Sequence, residues 1–130
     1  MEPKMKRIAL IAAACVALSH AAIAAGPALN AEELKALLAK GLVVTSTDLK
    51  GGREYTARIN LAADGKLSGS LTPAGDKAIA VSGTWRLKGN QLCRTLAPLQ
   101  PEEICETWLK SGTKEVVIQV GGREVAVNRW

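Results

Sequence analysis

Residues 78–87 read AIAVSGTWRL and show most clearly the pattern that runs through the rest of the chain. Within it, apolar residues or glycine alternate with polar residues, a period of two that is typical of a strand with one buried face and one solvated face. Trp85 has the same parity as Val81 and Leu87, so we predict that its ring faces the core. The residues of the inward row are Ile79, Val81, Gly83, Trp85 and Leu87.

The same period continues on both sides of this stretch, and glycine-containing pairs separate the alternating segments. Glycine adopts the positive φ that tight hairpin turns require, and short hairpins join antiparallel neighbours. We therefore predict a mainly β fold, with one N-terminal helix and a seven- or eight-stranded antiparallel meander that forms a small barrel or a strongly curved sheet. The candidate strands are residues 42–48, 53–61, 66–71, 78–87, 91–96, 104–110, 115–120 and 123–130.

Two glycines fall in the inward rows, Gly69 and Gly83. A glycine inside a strand marks a coiling point or a close approach of another chain segment. This pattern favours a filled small barrel over a roomy ligand cavity.

A helix is predicted over residues 31–40, before the first strand. Asn30 and Glu33 have the N-cap and N3 spacing of a capping box variant, and Gly41 supplies a left-handed stop. Leucines at positions 34, 37 and 38 form one apolar face, which is typical of a helix packed on the body of a domain.

The N-terminus has the organisation of a secretory signal peptide. Basic residues precede an apolar run at 8–18, which is too short to span a bilayer, and a small-residue cleavage site follows at 22–24. Acylation of Cys15 is the alternative, but three alanines precede it where a lipoprotein signal carries a larger aliphatic residue. We predict a signal peptide over 1–25, a single domain over 26–130, no transmembrane segment, and a periplasmic or secreted location.

Cleavage removes His20 and Cys15 and leaves Cys93 and Cys105 as an even pair in an oxidising compartment. The two cysteines flank a segment at 97–103, so a hairpin places them opposite each other within bridging distance. We predict a structural disulfide. A redox-active or metal-binding pair is disfavoured, because catalytic dithiols are usually closer in sequence and a metal needs more ligands.

The mature chain lacks the usual residues of catalysis. Without histidine, a Ser-His-Asp system or histidine-bound zinc is excluded. Glu102, Glu103 and Glu106 are candidate carboxylates for acid/base work on sugars, but adjacent glutamates beside prolines are more typical of solvated charges. We predict no enzymatic activity, no catalytic residue, no cofactor and no metal.

Charge and aromatic content argue against nucleic acid as a partner. Removal of the signal peptide lowers the formal net charge from +5 to +3, and the remaining basic residues form no run. The chain has three tryptophans, one tyrosine and no phenylalanine, too few aromatic rings for a base-stacking platform.

A set of short motifs resembles small exported bacterial proteins of a family classed as a domain of unknown function. The matching features are the helix that ends at Gly41, then residues 62–65 (AADG), 82–85 (SGTW) and 89–93 (GNQLC), and finally Cys105. The resemblance implies an exported, disulfide-bonded β domain. It implies no activity and no functional residue.

Two functions from different classes follow from these observations. The first is a non-enzymatic binding or interaction module of the periplasm, a monomer whose partner is a protein, an envelope polymer or a small apolar ligand. The second is a secreted inhibitor of a hydrolase that inserts the disulfide-pinned loop 96–103. The two differ in whether this loop protrudes or folds back over the barrel mouth. Its candidate contact residues are Pro98, Leu99, Pro101, Glu102 and Glu103.

Overall fold

The computed structural model describes residues 25–130, so the predicted signal peptide and Cys15 lie outside the described residues except for the final position of that peptide. Over this range the chain forms one helix, named α1, and eight strands. In the described part, no helix is long and apolar enough to cross a membrane. The elements are α1 Ala31–Leu38, β1 Leu42–Asp48, β2 Tyr55–Leu61, β3 Lys66–Pro73, β4 Ile79–Lys88, β5 Gln91–Leu96, β6 Gln100–Gly112, β7 Glu115–Val120 and β8 Arg123–Arg129.

The strands form a closed antiparallel barrel in sequence order, because β8 returns to pair with β1. The predicted fold class is therefore confirmed. The largest difference in bounds concerns β6, predicted from residue 104 but observed from Gln100. The ladder resumes directly after the hairpin turn, where Leu96 pairs with Gln100 across a register shift, and this pairing draws residues 100–103 into the strand.

The two inward glycines lie where backbones approach each other closely. A Cβ atom added to Gly83 would overlap the carbonyl oxygen of Thr95, and one added to Gly69 would overlap the carbonyl oxygen of Arg58. Both positions therefore need glycine so that adjacent strands can coil tightly.

Helix α1 lies at the end of the barrel that carries the β4–β5 turn. Its N-terminus has the predicted capping box, with the Asn30 side chain accepting from the backbone N–H of Glu33 at 2.9 Å. The backbone N–H of Ala31 donates to Oδ1 of Asn90 in that turn at 2.8 Å. Leu34 and Leu38 are buried in the barrel core, so the helix closes this end.

Two tryptophans contribute unequally to the core. Trp85 packs against the core cluster as its parity predicts, but it is only partly buried, and its indole N–H donates to the carbonyl of Ala62 at 2.8 Å. Trp108, which the sequence pattern did not single out, is 1% exposed and is the largest fully buried side chain of the described residues. Its ring centroid lies 6.3 Å from that of Trp130.

Candidate functional site

The barrel interior contains a cavity of about 100 Å³. It extends from the middle of the barrel toward the end opposite α1, where the hairpin turns 49–54, 74–78, 97–99 and 121–122 lie; we call this end the mouth. The barrel is thus less completely filled than the inward glycines predict. Most of the wall is apolar, formed chiefly by Val44, Ile59, Leu61, Leu67, Leu71 and Ile118.

An ion pair lies inside the barrel at this cavity. Nε of Arg94 on β5 donates to Oε2 of Glu106 on β6 at 2.7 Å, and the side chains are 21% and 7% exposed. The indole N–H of Trp108 donates to the other carboxylate oxygen at 3.0 Å. Both oxygens of Glu106 are therefore engaged, and the two charges balance within the wall.

A second polar group of the wall comes from the junction of the first and last strands. Ser46 on β1 and Asn128 on β8 are direct cross-strand partners, and both line the cavity. Asn128 is 7% exposed, yet its Oδ1 accepts no hydrogen bond within the described chain. A buried acceptor without a donor is unfavourable, which distinguishes this amide from the satisfied carboxylate of Glu106.

Tyr55 lines the cavity where β2 begins at the mouth, and its position depends on Asp48. Asp48 is 4% exposed, and its carboxylate accepts backbone N–H bonds from Lys50, Glu54 and Tyr55 at 2.6, 2.8 and 3.0 Å. Burial alone would raise the pKa of Asp48, but these donors favour the charged form and lower the pKa. Burial raises the pKa of Tyr55, so its phenol stays protonated at neutral pH.

Exposed apolar side chains surround the mouth. Leu49 in the β1–β2 hairpin and Leu99 in the β5–β6 hairpin are 50% and 47% exposed. Val125, at a register shift of β8, is 39% exposed and also lines the cavity. An apolar rim therefore continues into the largely apolar interior.

The predicted disulfide is confirmed. Cys93 and Cys105 are direct cross-strand partners of β5 and β6 with an S–S distance of 2.03 Å. Glu103 lies close to both sulfurs, but the disulfide bond leaves no thiolate there for a metal ion. By strand parity the bridge lies on the outer face of the barrel, away from the cavity, so its role is to hold the β5–β6 hairpin in register.

The predicted interaction loop is shorter than expected. Pro98 and Leu99 lie in the hairpin tip, whereas residues 101–103 belong to β6. The backbone of Ala97 exchanges two hydrogen bonds with Ser82 of β4, at 2.8 and 3.0 Å. The base of the tip is therefore tied to the barrel wall, and only the tip itself is free of the ladder.

The three glutamates do not form a catalytic pair. Glu103 lies on the outer face, where it accepts from Arg86 at 2.7 and 2.8 Å, and this contact lowers the pKa of Glu103. Glu106 points inward, and Glu102 is exposed. The sequence analysis missed the inward orientation of Glu106 and the other polar groups of the cavity, Arg94 among them. The cysteine pairing contained the missing signal, because its register places Arg94 and Glu106 diagonally on the opposite face.

Comparison of the chain with known protein families, with curated proteins and with solved structures found no match. The resemblance drawn from the short motifs thus remains a prediction.

Proposed function

We propose that this chain is an exported, non-enzymatic binding module that holds a small, largely apolar ligand in the barrel mouth. The proposal rests on the interior cavity of about 100 Å³, which has apolar walls and a few convergent polar groups. This composition is typical of small-molecule sites. Such sites usually measure roughly 300–1,000 Å³, so the cavity suits a small molecule or one end of a longer one.

Export is supported by the disulfide and by the signal-peptide pattern at 1–25. Structural disulfides form and persist in oxidising compartments such as the periplasm. The proposed partner is thus a molecule of the cell envelope or its surroundings.

A binding role is favoured over catalysis by the state of the polar groups. Glu106 already accepts from Arg94 and Trp108, so it is not poised as a general base. The hydroxyls that line the cavity belong to Ser46 and Tyr55, and burial raises the pKa of Tyr55 away from a nucleophilic state.

The alternative function, inhibition of a hydrolase through loop 96–103, has weaker support. An inserted loop must project far enough to enter a cleft, but the tip between β5 and β6 comprises only residues 97–99. Ala97 is bound to Ser82, which leaves Leu99 as the exposed apolar group.

The proposal is tested by titrating toluene, 1-hexanol and hexanoate into the protein purified from the periplasm, followed by ¹H–¹⁵N NMR. Saturable shifts at wall residues, including the indole N–H of Trp108, are expected from at least one compound. Absence of saturable shifts with all three would overturn the proposal.

A cavity-filling variant provides the matched control. Ala57 is 6% exposed and lines the cavity, so Ala57→Leu places extra methyl groups in it and should abolish binding. Its neighbour Thr56 is exposed on the outer face, and Thr56→Leu should leave binding unchanged. Equal binding by the parent and Ala57→Leu would place the ligand elsewhere. If Ala57→Leu fails to fold, Ala126→Val fills the same cavity from β8.

A further inference from the structure

We infer that the ligand is electrically neutral and carries a hydroxyl group that donates a hydrogen bond to Asn128. This inference rests on the proposed function and specifies the class of ligand. The site therefore takes an aliphatic alcohol or a phenol in preference to a fatty acid or an amine.

Neutrality follows from the ion pair in the wall. Arg94 and Glu106 cancel each other's charge within 2.7 Å, and the second oxygen of Glu106 is engaged by Trp108. A carboxylate entering the cavity would share Arg94 with Glu106 and would add a third, unbalanced charge. An ammonium group would meet the positive Arg94 beside a carboxylate that already accepts from Arg94 and Trp108. Either ion loses its hydration without gaining a free counter-charge.

The hydroxyl follows from Asn128. Its Oδ1 is buried and lacks a donor within the described chain, and the residue lines the cavity. A ligand O–H satisfies this acceptor. Ser46 lies directly across the strand pair, and its side chain hydrogen-bonds that of Tyr55, so these two hydroxyls and the Asn128 amide form the polar part of the wall that meets the ligand oxygen.

The apolar part of the cavity wall determines what the rest of the ligand must be. Apolar side chains of seven strands line the cavity around the polar groups, among them Val44, Ile59, Leu67 and Ile118. Leu71 and Leu96 continue the apolar surface toward the mouth. A ligand that leaves a hydrocarbon part among these side chains buries apolar surface there.

The experiment compares three probes with the same six-carbon chain at pH 7: 1-hexanol, hexanoate and hexylammonium. Dissociation constants come from the NMR titration of the parent protein, so this comparison requires no variant. We expect 1-hexanol to bind about tenfold or more tightly than either ion, because each ion enters as an uncompensated charge. If either ion binds as tightly as 1-hexanol, the inference is overturned while the proposed function stands. If none of the three binds and toluene does not bind, the proposed function itself fails.

Asn128→Leu tests the hydrogen bond separately. It keeps the approximate volume and removes the acceptor, so we expect affinity for 1-hexanol to fall about fivefold to tenfold and affinity for toluene to be kept. Asn60→Leu, an exposed asparagine of β2, is the matched control and should leave both affinities unchanged. Unchanged 1-hexanol affinity in Asn128→Leu would overturn the assignment of Asn128. Should this variant not fold, Asn128→Val supplies the readout, because it also removes the acceptor and should likewise weaken 1-hexanol binding while toluene binding is kept.

Discussion

Arg94 and Glu106 form an ion pair inside the barrel, with Nε and Oε2 separated by 2.7 Å and the carboxylate side chain 7% exposed. The pair connects β5 to β6 on the face opposite the disulfide. Ionic groups are costly to bury, so each depends on the other to remain inside.

The first prediction concerns this dependence. Arg94→Met leaves the Glu106 charge uncompensated and should lower the free energy of unfolding by about 3 kcal/mol. The double variant Arg94→Met/Glu106→Gln removes the lone charge and keeps an acceptor for Trp108, so it should be more stable than Arg94→Met alone. Urea denaturation of the set measures both effects.

The control for this cycle is the exposed pair on the outer face. Arg86 and Glu103 are 57% and 38% exposed in their side chains, and solvent weakens such pairs. Arg86→Met should therefore change stability far less than Arg94→Met. Equal effects of the two substitutions would show that the inner pair is as well solvated as the outer one.

Acid sensitivity is expected from Asp48. Its pKa is lowered in the folded state, so its contribution to stability is present above the ordinary value of 3.8 and is lost as the pH falls through the folded value. Asp48→Asn should lower the urea midpoint at pH 7 and flatten its dependence on pH below about 4. Asp64→Asn, at an exposed turn carboxylate that binds one backbone N–H, is the comparison and should retain the parent's acid profile.

The disulfide should account for a measurable part of the stability. Replacing Cys93 and Cys105 with alanine opens a link between residues 12 apart and should cost about 3 kcal/mol in the chain-entropy account. Intact-mass measurement of the unreduced parent after alkylation should show no added alkyl group. Two added groups would mean that the cysteines are reduced in the isolated protein.

Trp85 provides a test of core packing. Trp85→Ala removes a partly buried ring and its hydrogen bond to Ala62, at an expected cost of about 3 kcal/mol. Thr84→Ala, on the exposed face of the same strand, should cost less than about 1 kcal/mol. Chemical denaturation separates the two. If Trp85→Ala is as stable as the parent, Trp85 is better explained as a binding residue at the surface.

The fifth prediction concerns export. N-terminal sequencing of the periplasmic form should find a first residue of Ala25 or Gly26, because the small residues at 22–24 suit signal peptidase. A blocked, membrane-bound species that starts at Cys15 would instead support acylation.

The fold class followed from local pattern alone. Alternation at 78–87 and its repeats, the glycine turns, and the Asn30–Glu33 capping box are properties of near neighbours in the chain. They predicted an antiparallel meander in a small barrel or a strongly curved sheet, the helix start and the Cys93–Cys105 pairing. Strand period and turn chemistry act over a few residues, so a single sequence suffices to predict them.

The candidate site depended on the tertiary structure. Arg94 and Glu106 are typical surface residues by composition. The Cys93–Cys105 register places them on one face of the hairpin, but only the closed barrel makes that face an interior in which each compensates the other's charge. Asn128 meets Ser46 only because β8 pairs with β1, the contact between the two ends of the sheet. Whether a polar group is buried and paired depends on how the whole sheet closes, which is why the local pattern predicted the antiparallel meander but not the polar groups of its cavity.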